Sequence, residues 1–262
     1  MPEAPALAAA EVRPEAAGAP FLEVLGLSKS FGRERVLENV SFRLDQRQTL
    51  SVLGRSGCGK TTLLKLLAGL HAPDAGLLRR RGADITGVPV EKRDIVYLYQ
   101  EPLLFPHLSV FENVAFGLRL RHVGQDRIER DVTHLLASLD LVEQRDKAPH
   151  QLSGGQRQRV SFGRALIVSP SLLLLDEPFS SLDTETRGQM QALFQRVAAE
   201  YAITAIFVTH DLKEALLVGN GLATIRGGRF RAYSSKQEFI DDSDSGVAQE
   251  VGFWDSIKDG RP

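Results

Sequence analysis

The stretch TLSVLGRSGCGKTTLLKLLAGL, residues 49–70, restricts the fold of this chain more than any other segment. Its apolar start, TLSVLG, predicts a buried strand, and the leucines of KTTLLKLLAGL predict a helix that ends at Gly69. The loop from Gly54 to Thr61 fits the pattern G-x-x-x-x-G-K-[ST]. A strand, a glycine loop and a helix in this order predict an α/β fold that binds phosphate groups at the loop.

Different residues of this loop are expected to bind different parts of a nucleotide. Glycines let successive backbone N–H groups converge on phosphate oxygens, and the helix N-terminus adds the positive end of its dipole. We expect Lys60 to reach the β- and γ-phosphates, Thr61 to supply a hydroxyl to Mg²⁺, and Thr62 to donate to an α-phosphate oxygen. Cys58 fits as a small residue that the loop tolerates. The predicted phosphate-binding residues are Gly54, Arg55, Ser56, Gly57, Cys58, Gly59, Lys60, Thr61 and Thr62.

Strand and helix patterns alternate along the rest of the chain. Residues 21–44 show a two-residue periodicity interrupted by turns, which predicts antiparallel hairpins. Apolar strand-sized segments return at 171–176 (SLLLLD) and 202–210 (AITAIFVTH), with a helical pattern between them at 184–201. Strands that alternate with helices predict a mainly parallel sheet covered by helices.

The segment between residues 100 and 151 has a helical pattern of its own. Ser109 and Glu112 form an S-x-x-E capping box that opens one helix. The next helix has five apolar residues at helical spacing, which predict its buried face: Ile128, Val132, Leu135, Leu136 and Leu139.

The composition excludes several classes of protein. The chain is 43% apolar, which supports a folded core, and its 32 basic and 33 acidic residues give no broad basic surface, so we expect no nucleic-acid partner. Its longest apolar runs are strand-sized, so any membrane role is expected to come through a partner. Residues 1–20 are rich in Ala, Pro and Glu without the pattern of a secretion signal, which predicts a disordered tail.

Polar residues follow three of the predicted strands. Asp176 and Glu177 end SLLLLDE, and His210 ends IFVTH. Because parallel strands end at one edge of a sheet, we expect Asp176 to bind in the Mg²⁺ shell, Glu177 to activate the attacking water and His210 to contact the γ-phosphate. Gln100, after IVYLYQ, can reach Mg²⁺ or the same water. Each residue taken alone also fits a turn or a structural histidine, so the assignment depends on the set.

Two further features complete the candidate site. Phe31 in SKSFG could stack on adenine or pack within a hairpin, and the sequence favours neither. Residues 151–159, QLSGGQRQR, contain a second glycine turn before a helix pattern, although one nucleotide needs only one phosphate loop.

The segments GRSGCGKT, YLYQ, LSGGQ, LLLLDEP, SLD and VTH, in this order, resemble the nucleotide-binding subunit of ATP-binding cassette (ABC) transporters. The similarity spans about residues 21–232, and LSGGQ separates this family from other P-loop ATPases. The resemblance implies a P-loop NTPase fold with a RecA-like, mainly parallel core, an N-terminal antiparallel β subdomain and an inserted α-helical subdomain. It implies an enzyme that hydrolyses Mg²⁺-ATP.

The resemblance also implies what the second glycine turn does. Two subunits of the family pack head to tail, and LSGGQ of one closes over the nucleotide held by the other. The residues expected to make this contact are Ser153, Gly154, Gly155 and Gln156, and SLD places Asp183 at the dimer interface. The partner subunit is a second copy of this chain or a related cassette.

The same resemblance implies the domains and the other partners. The ATPase domain is expected at 21–235, with its helical subdomain at about 101–155. Residues 236–262 form a short extension, too few for the regulatory β-domain that some importers append. Transmembrane permease subunits are expected to dock near Phe105–Phe116, lined by Phe105, Leu108, Phe111 and Phe116.

The sequence of this docking segment resembles the corresponding segment of bacterial importers, whose complete systems include a solute-binding protein. The chain is therefore expected at the cytoplasmic face of the inner membrane, held there by the permease. The sequence does not identify the transported solute. The alternatives are a soluble ABC ATPase that acts in macromolecular assembly, and a nucleotide-binding regulator without turnover; the latter would more naturally lack Glu177 or His210, which are both present.

Overall fold

A computed structural model of the chain describes residues 20–243 and 245–247. Their strands are β1 Leu22–Phe31, β2 Glu34–Leu44, β3 Thr49–Leu53, β4 Ala75–Arg80, β5 Ala83–Asp84, β6 Ile95–Leu98, β7 Leu172–Asp176, β8 Ala205–Thr209, β9 Gly221–Arg226 and β10 Arg229–Tyr233. Their α-helices are α1 Lys60–Ala68, α2 Val110–Leu120, α3 Gln125–Ser138, α4 Gly154–Leu166, α5 Thr184–Glu200, α6 Leu212–Val218 and α7 Lys236–Asp241. Within this part of the chain, no helix is long and apolar enough to cross a bilayer.

The chain folds as two compact units. The loop unit comprises residues 20–89 and 205–247, and the LSGGQ unit comprises residues 90–204. The predicted tail lies outside the described residues except for Pro20, and so do residues 248–262 of the predicted C-terminal extension. The domain boundaries expected from the sequence stay predictions.

An antiparallel sheet in the order β2-β1-β4-β5 forms one layer of the loop unit. β1 pairs with β2 from Leu22 opposite Leu44 to Phe31 opposite Glu34, which confirms the predicted hairpin. Fully buried side chains such as Leu22, Val24 and Leu44 supply its inner face, because alternate residues of a strand face the same side.

The second set of strands in the loop unit has the order β10-β9-β3-β8. β3 runs parallel to both β8 and β9, and β10 runs antiparallel to β9. All five residues of β3 are buried, as expected of a parallel strand between two others. Leu53 pairs with Thr209, so the phosphate loop and the turn at His210 leave the sheet at the same edge.

The LSGGQ unit combines a parallel strand pair with four helices. β6 runs parallel to β7, from Ile95 opposite Leu172 to Leu98 opposite Leu175. The predicted capping box of Ser109 and Glu112 opens α2, and the five predicted apolar residues of the next helical segment are all buried. Parallel strands, an antiparallel sheet and helices in one chain confirm the predicted α/β fold class.

Candidate nucleotide-binding site

The backbone of the phosphate loop depends on its glycines. Gly57 and Gly59 have φ angles of 81° and 105°, a region that other residues rarely adopt. Gly54 adopts no such angle, but a Cβ on it would lie 2.5 Å from the Cys58 sulfur and 2.8 Å from the Ile225 carbonyl oxygen. The close approach of the Cys58 side chain and the Ile225 backbone therefore requires glycine at this position.

The N-terminus of α1 is suited to an anion. Gly59 occupies the N-cap position, where it has no side chain to bond the first turn, and that turn contains no acidic residue. Lys60 is 4% exposed, and its Nζ donates to the carbonyl oxygens of Gly54 at 2.7 Å and Arg55 at 3.1 Å. The lysine ammonium and the positive end of the helix dipole thus lie together at the loop, an arrangement that favours phosphate.

Phe31 lies at the end of β1 with its side chain open to solvent. The residue is 46% exposed, and its ring contacts the edge of His71 at 5.6 Å and the ammonium of Lys29 at 5.5 Å. A phenylalanine packed inside the hairpin would be covered, so the exposure favours the stacking interpretation. The role in adenine binding stays a prediction.

His210 is exposed at the turn that follows β8, and buried polar groups hold that turn. The Thr209 hydroxyl donates to Glu214 Oε2 at 2.5 Å and accepts from the Asp211 N–H at 3.0 Å. Asp211 in turn caps α6 by accepting from the Glu214 N–H. Glu214 was not predicted from the sequence, although D-x-x-E at 211–214 is the spacing of a helix start.

Asp176 is the last residue of β7 and is 9% exposed. Its Oδ2 accepts a 2.5 Å hydrogen bond from the hydroxyl of Tyr97 on β6. Burial, aided by this carboxylate, raises the pKa of Tyr97 above its ordinary value, so the phenol keeps its proton and remains a donor. Tyr97 was not predicted from the sequence, because the segment IVYLYQ does not show which strand it pairs with, and this pairing brings Tyr97 to Asp176.

Glu177 follows Asp176 in a left-handed backbone conformation with φ at 46°. Its carbonyl oxygen accepts from both the N–H and the hydroxyl of Ser180, at 3.2 and 2.9 Å. Such a conformation is uncommon for a residue with a side chain and occurs at turns and at functional sites. Gln100 lies in the same unit, exposed, two residues after the end of β6.

The LSGGQ segment forms the N-terminus of α4. The Ser153 hydroxyl accepts from the Gln156 N–H at 3.2 Å, and Gln156 Oε1 accepts from the Ser153 N–H at 2.9 Å. This is a capping box of the S-x-x-Q type, whose spacing is present in the sequence. The first turn of α4 contains no acidic residue, so this helix end also suits an anion.

Gly155 and Asp183 connect α4 with α5. A Cβ on Gly155 would lie 2.5 Å from Cγ2 of Thr186, whereas one on Gly154 would meet nothing closer than 3.7 Å. Asp183 caps α5 by accepting from the Thr186 N–H at 3.0 Å, and this bond lowers the pKa of the Asp183 carboxyl. The predicted interface residue therefore has a structural role within its own chain.

An open groove of about 510 Å³ runs beside this helix end. Its lining is mostly polar and comprises Ala137, Asp140, Val142, Glu143, Gln144, Ser153, Gly155, Gln156, Arg159, Thr186 and Gln189. The exposed helix N-terminus thus borders a space large enough for part of another molecule.

Comparison with known proteins decides the family. Residues 37–180, more than half of the chain, match the family model described as ABC transporter. The chain belongs to the ABC transporter family. This confirms the predicted family, which was inferred from the same phosphate loop and LSGGQ segment.

The ABC proteins to which the chain is similar include import ATP-binding proteins. It is 41% identical to the spermidine/putrescine import ATP-binding protein PotA of Vibrio cholerae, over 86% of this chain and 60% of that protein. It is 45% identical to the sulfate/thiosulfate import ATP-binding protein CysA of Bordetella bronchiseptica, over 83% of this chain and 62% of that protein. A CysA protein of Cucumis sativus is 43% identical, over 83% of this chain and 63% of that protein. The chain thus spans about three fifths of the length of these relatives.

The segment in which the ABC resemblance predicts permease docking is held by Asn113. This residue is fully buried, and its Nδ2 donates to the carbonyl oxygens of Phe105, Leu108 and Ser109. Its Oδ1 accepts from the Phe105 N–H at 2.8 Å. One amide therefore fixes the loop that precedes α2.

Phe105 and Phe116 are both half-buried and contact each other, with ring centroids 4.5 Å apart. The guanidinium of Arg164 lies 5.0 Å from the Phe105 centroid, and its Nη1 is buried without a hydrogen-bond partner among the described residues. Phe111 was also predicted to line the permease-docking surface, and this prediction is wrong. It is only 6% exposed, because it packs inward against the guanidinium of Arg145 at 4.1 Å.

Proposed function

We propose that this chain is the ATP-hydrolysing, nucleotide-binding subunit of a bacterial ABC importer. The observation that carries the proposal is that one chain has two glycine turns at helix N-termini, at α1 and at α4, neither with an acidic residue in its first turn. The loop unit contains the first and the LSGGQ unit the second. The curated relatives named above are import ATP-binding proteins, which favours transport over a soluble role in macromolecular assembly.

ATP is proposed to bind at the phosphate loop. Backbone N–H groups from Gly57 to Thr62 would hold the phosphates, and the Lys60 ammonium would exchange its carbonyl partners for β- and γ-phosphate oxygens. The exposed ring of Phe31, in the same unit, would stack on adenine.

Mg²⁺ is proposed to be held by Thr61, Gln100 and Asp176. All three offer oxygen atoms, the donors that Mg²⁺ prefers, and the Asp176 carboxylate lies at the carboxyl end of β7. When bound, the ion would neutralise negative charge on the β- and γ-phosphate oxygens.

Water activation is proposed to depend on Glu177 and His210. Glu177 follows β7 directly with a left-handed backbone, and its carboxylate would accept a proton from the attacking water. His210 would contact the γ-phosphate, with its turn held by Thr209 and Glu214.

A head-to-tail dimer is proposed as the catalytic unit, formed with a second copy or a related cassette. Ser153, Gly154, Gly155 and Gln156 would contact the γ-phosphate of the nucleotide that the other subunit holds, with the positive end of α4 directed at it. Asp183 would lie at the same interface. Closure would follow ATP binding, because a ligand that contacts both subunits stabilises the closed state.

Membrane permease subunits are proposed to dock near Phe105–Phe116, on the surface formed by Phe105, Phe116 and the loop that Asn113 fixes. The subunit would then lie at the cytoplasmic face of the inner membrane, and a solute-binding protein would complete the system. The exposed side chain of Leu103 extends the apolar part of this surface.

The substitution Glu177→Gln tests the enzymatic part of the proposal. We expect hydrolysis of Mg²⁺-ATP by the purified full chain to be lost, whereas ATP binding and ATP-driven dimerisation persist, since the amide cannot take up the water proton. Glu91→Gln changes an exposed glutamate of the same unit and is the matched control. Turnover by Glu177→Gln at the parental rate would remove this residue as the general base.

The transport part is tested by membrane association. The chain is expected in the membrane fraction when its permease subunits are co-expressed and in the soluble fraction when they are omitted. Replacement of Phe105 by Glu would place a charge on the proposed docking surface and is expected to release the chain. Association that does not depend on a permease would contradict the proposed docking.

A further inference from the structure

Tyr97 makes a contact that the proposed mechanism does not use. It lies on β6 opposite Leu174 of β7, and Asp176 is two residues further along β7, on the same face of the strand pair. Its Oη lies 2.5 Å from Asp176 Oδ2. Its ring packs against Tyr99, with centroids 4.6 Å apart.

This contact fixes the orientation of a carboxylate. A strand-terminal aspartate can rotate about two side-chain bonds, and one strong donor on Oδ2 restricts that rotation and sets the direction of the other lone pairs. Tyr97 suits this purpose because its own ring is packed against that of Tyr99. A phenol is also a neutral donor, so it orients the carboxylate without cancelling its charge.

We propose that Tyr97 is the positioning residue that sets the Asp176 carboxylate for Mg²⁺. This inference rests on the proposed function, because Asp176 is a metal-binding residue only if the chain binds Mg²⁺-ATP. Tyr97 itself contacts neither the ion nor the nucleotide. Donors to metal-binding carboxylates commonly determine how tightly the metal is held.

The test is the substitution Tyr97→Phe in the purified full chain, with a fluorescent ATP analogue as the probe. Binding of the analogue is titrated in EDTA, and then at fixed analogue concentration against Mg²⁺. We expect unchanged affinity in EDTA and an increase of about tenfold in the Mg²⁺ concentration that gives half-maximal effect. A merely structural role would change the affinity in both conditions.

Tyr99→Phe is the matched control. Tyr99 is 42% exposed, and its ring packs against that of Tyr97. Its variant is expected to keep the parental Mg²⁺ dependence. The melting temperature of each variant without nucleotide shows that it is folded.

Two results would overturn the inference. The first is a folded Tyr97→Phe variant with the parental Mg²⁺ dependence; the second is an equal loss of affinity with and without Mg²⁺. A parental protein that binds the analogue without any influence of Mg²⁺ would instead remove the proposed metal role of Asp176, and the inference with it. The parental titration therefore distinguishes failure of the proposed function from failure of the role of Tyr97.

Discussion

The Thr209 hydroxyl donates a 2.5 Å hydrogen bond to the carboxylate of Glu214, and both residues are buried. The backbone carbonyl of the same Thr209 accepts from the N–H of Gly54, the first residue of the phosphate loop, at 3.1 Å. One threonine therefore connects the turn that carries His210 with both a buried acid and the phosphate loop.

Thr209→Val removes this hydroxyl at nearly constant volume. We expect the free energy of unfolding, measured by urea titration, to fall by about 1–3 kcal/mol, because the buried Glu214 carboxylate loses a donor. Thr209→Ser keeps the hydroxyl and is the control, with a smaller effect. Equal stability of the valine and serine variants would show that the hydrogen bond contributes nothing.

Gly155→Ala introduces a methyl group against Thr186. We expect a loss of about 1–3 kcal/mol in the free energy of unfolding, since the new Cβ must displace a methyl group only 2.5 Å away. Gly154→Ala, which has room for a Cβ, is expected to cost much less. The thermal or urea unfolding of both variants is compared.

A second substitution sharpens this comparison. Thr186→Ser removes the Cγ2 atom that the new Cβ would meet, so it is expected to restore part of the stability of Gly155→Ala. A double variant no more stable than Gly155→Ala alone would place the cause elsewhere.

Ser153→Arg tests the proposed sharing of the nucleotide. We expect ATP binding to the monomer to be unchanged, because the phosphate loop belongs to the other unit, whereas ATP-driven dimerisation and hydrolysis are lost to the bulk of the arginine. Size-exclusion chromatography in the presence of ATP measures dimerisation, and a phosphate-release assay measures hydrolysis. Ser153→Ala removes the same helix cap without the bulk, at a cost of about 1 kcal/mol in stability, and is the control.

Failure of ATP binding in the Ser153→Arg monomer would contradict the proposal. LSGGQ would then belong to the nucleotide site of its own chain, and the two glycine turns would serve one ligand.

Cys58 offers a single-site chemical test, because it is the only cysteine in the sequence. It is partly exposed in the phosphate loop, so alkylation is expected to block ATP binding by bulk. Fluorescence titration with an ATP analogue measures the loss. Cys58→Ser protein treated with the same reagent should bind normally, and unchanged binding by fully alkylated parental protein would show that the loop does not hold the nucleotide.

Many strands and helices in the described part of this chain were predicted from its sequence, but six were not: β4, β5, β9, β10, α6 and α7. The phosphate loop, the Ser109 capping box and the buried face of α3 all follow from local rules, namely glycine tolerance of unusual φ angles, side-chain capping and the helical repeat. The family followed as well, because its motifs are contiguous segments. The prediction that Phe111 lines the docking surface was wrong, because apolar character alone does not tell which side of a helix faces inward.

The sequence by itself thus determined the α/β class, the phosphate loop and the second glycine turn. Only the tertiary structure decided which side chains contact the proposed site and the turns that hold it: Tyr97 on Asp176, Glu214 on Thr209 and Thr186 beside Gly155. The physical reason is the separation of the interacting residues along the sequence. Caps and turns are set by neighbours three or four residues away, whereas Tyr97 and Asp176 are 79 residues apart and meet only because β6 pairs with β7 in one register.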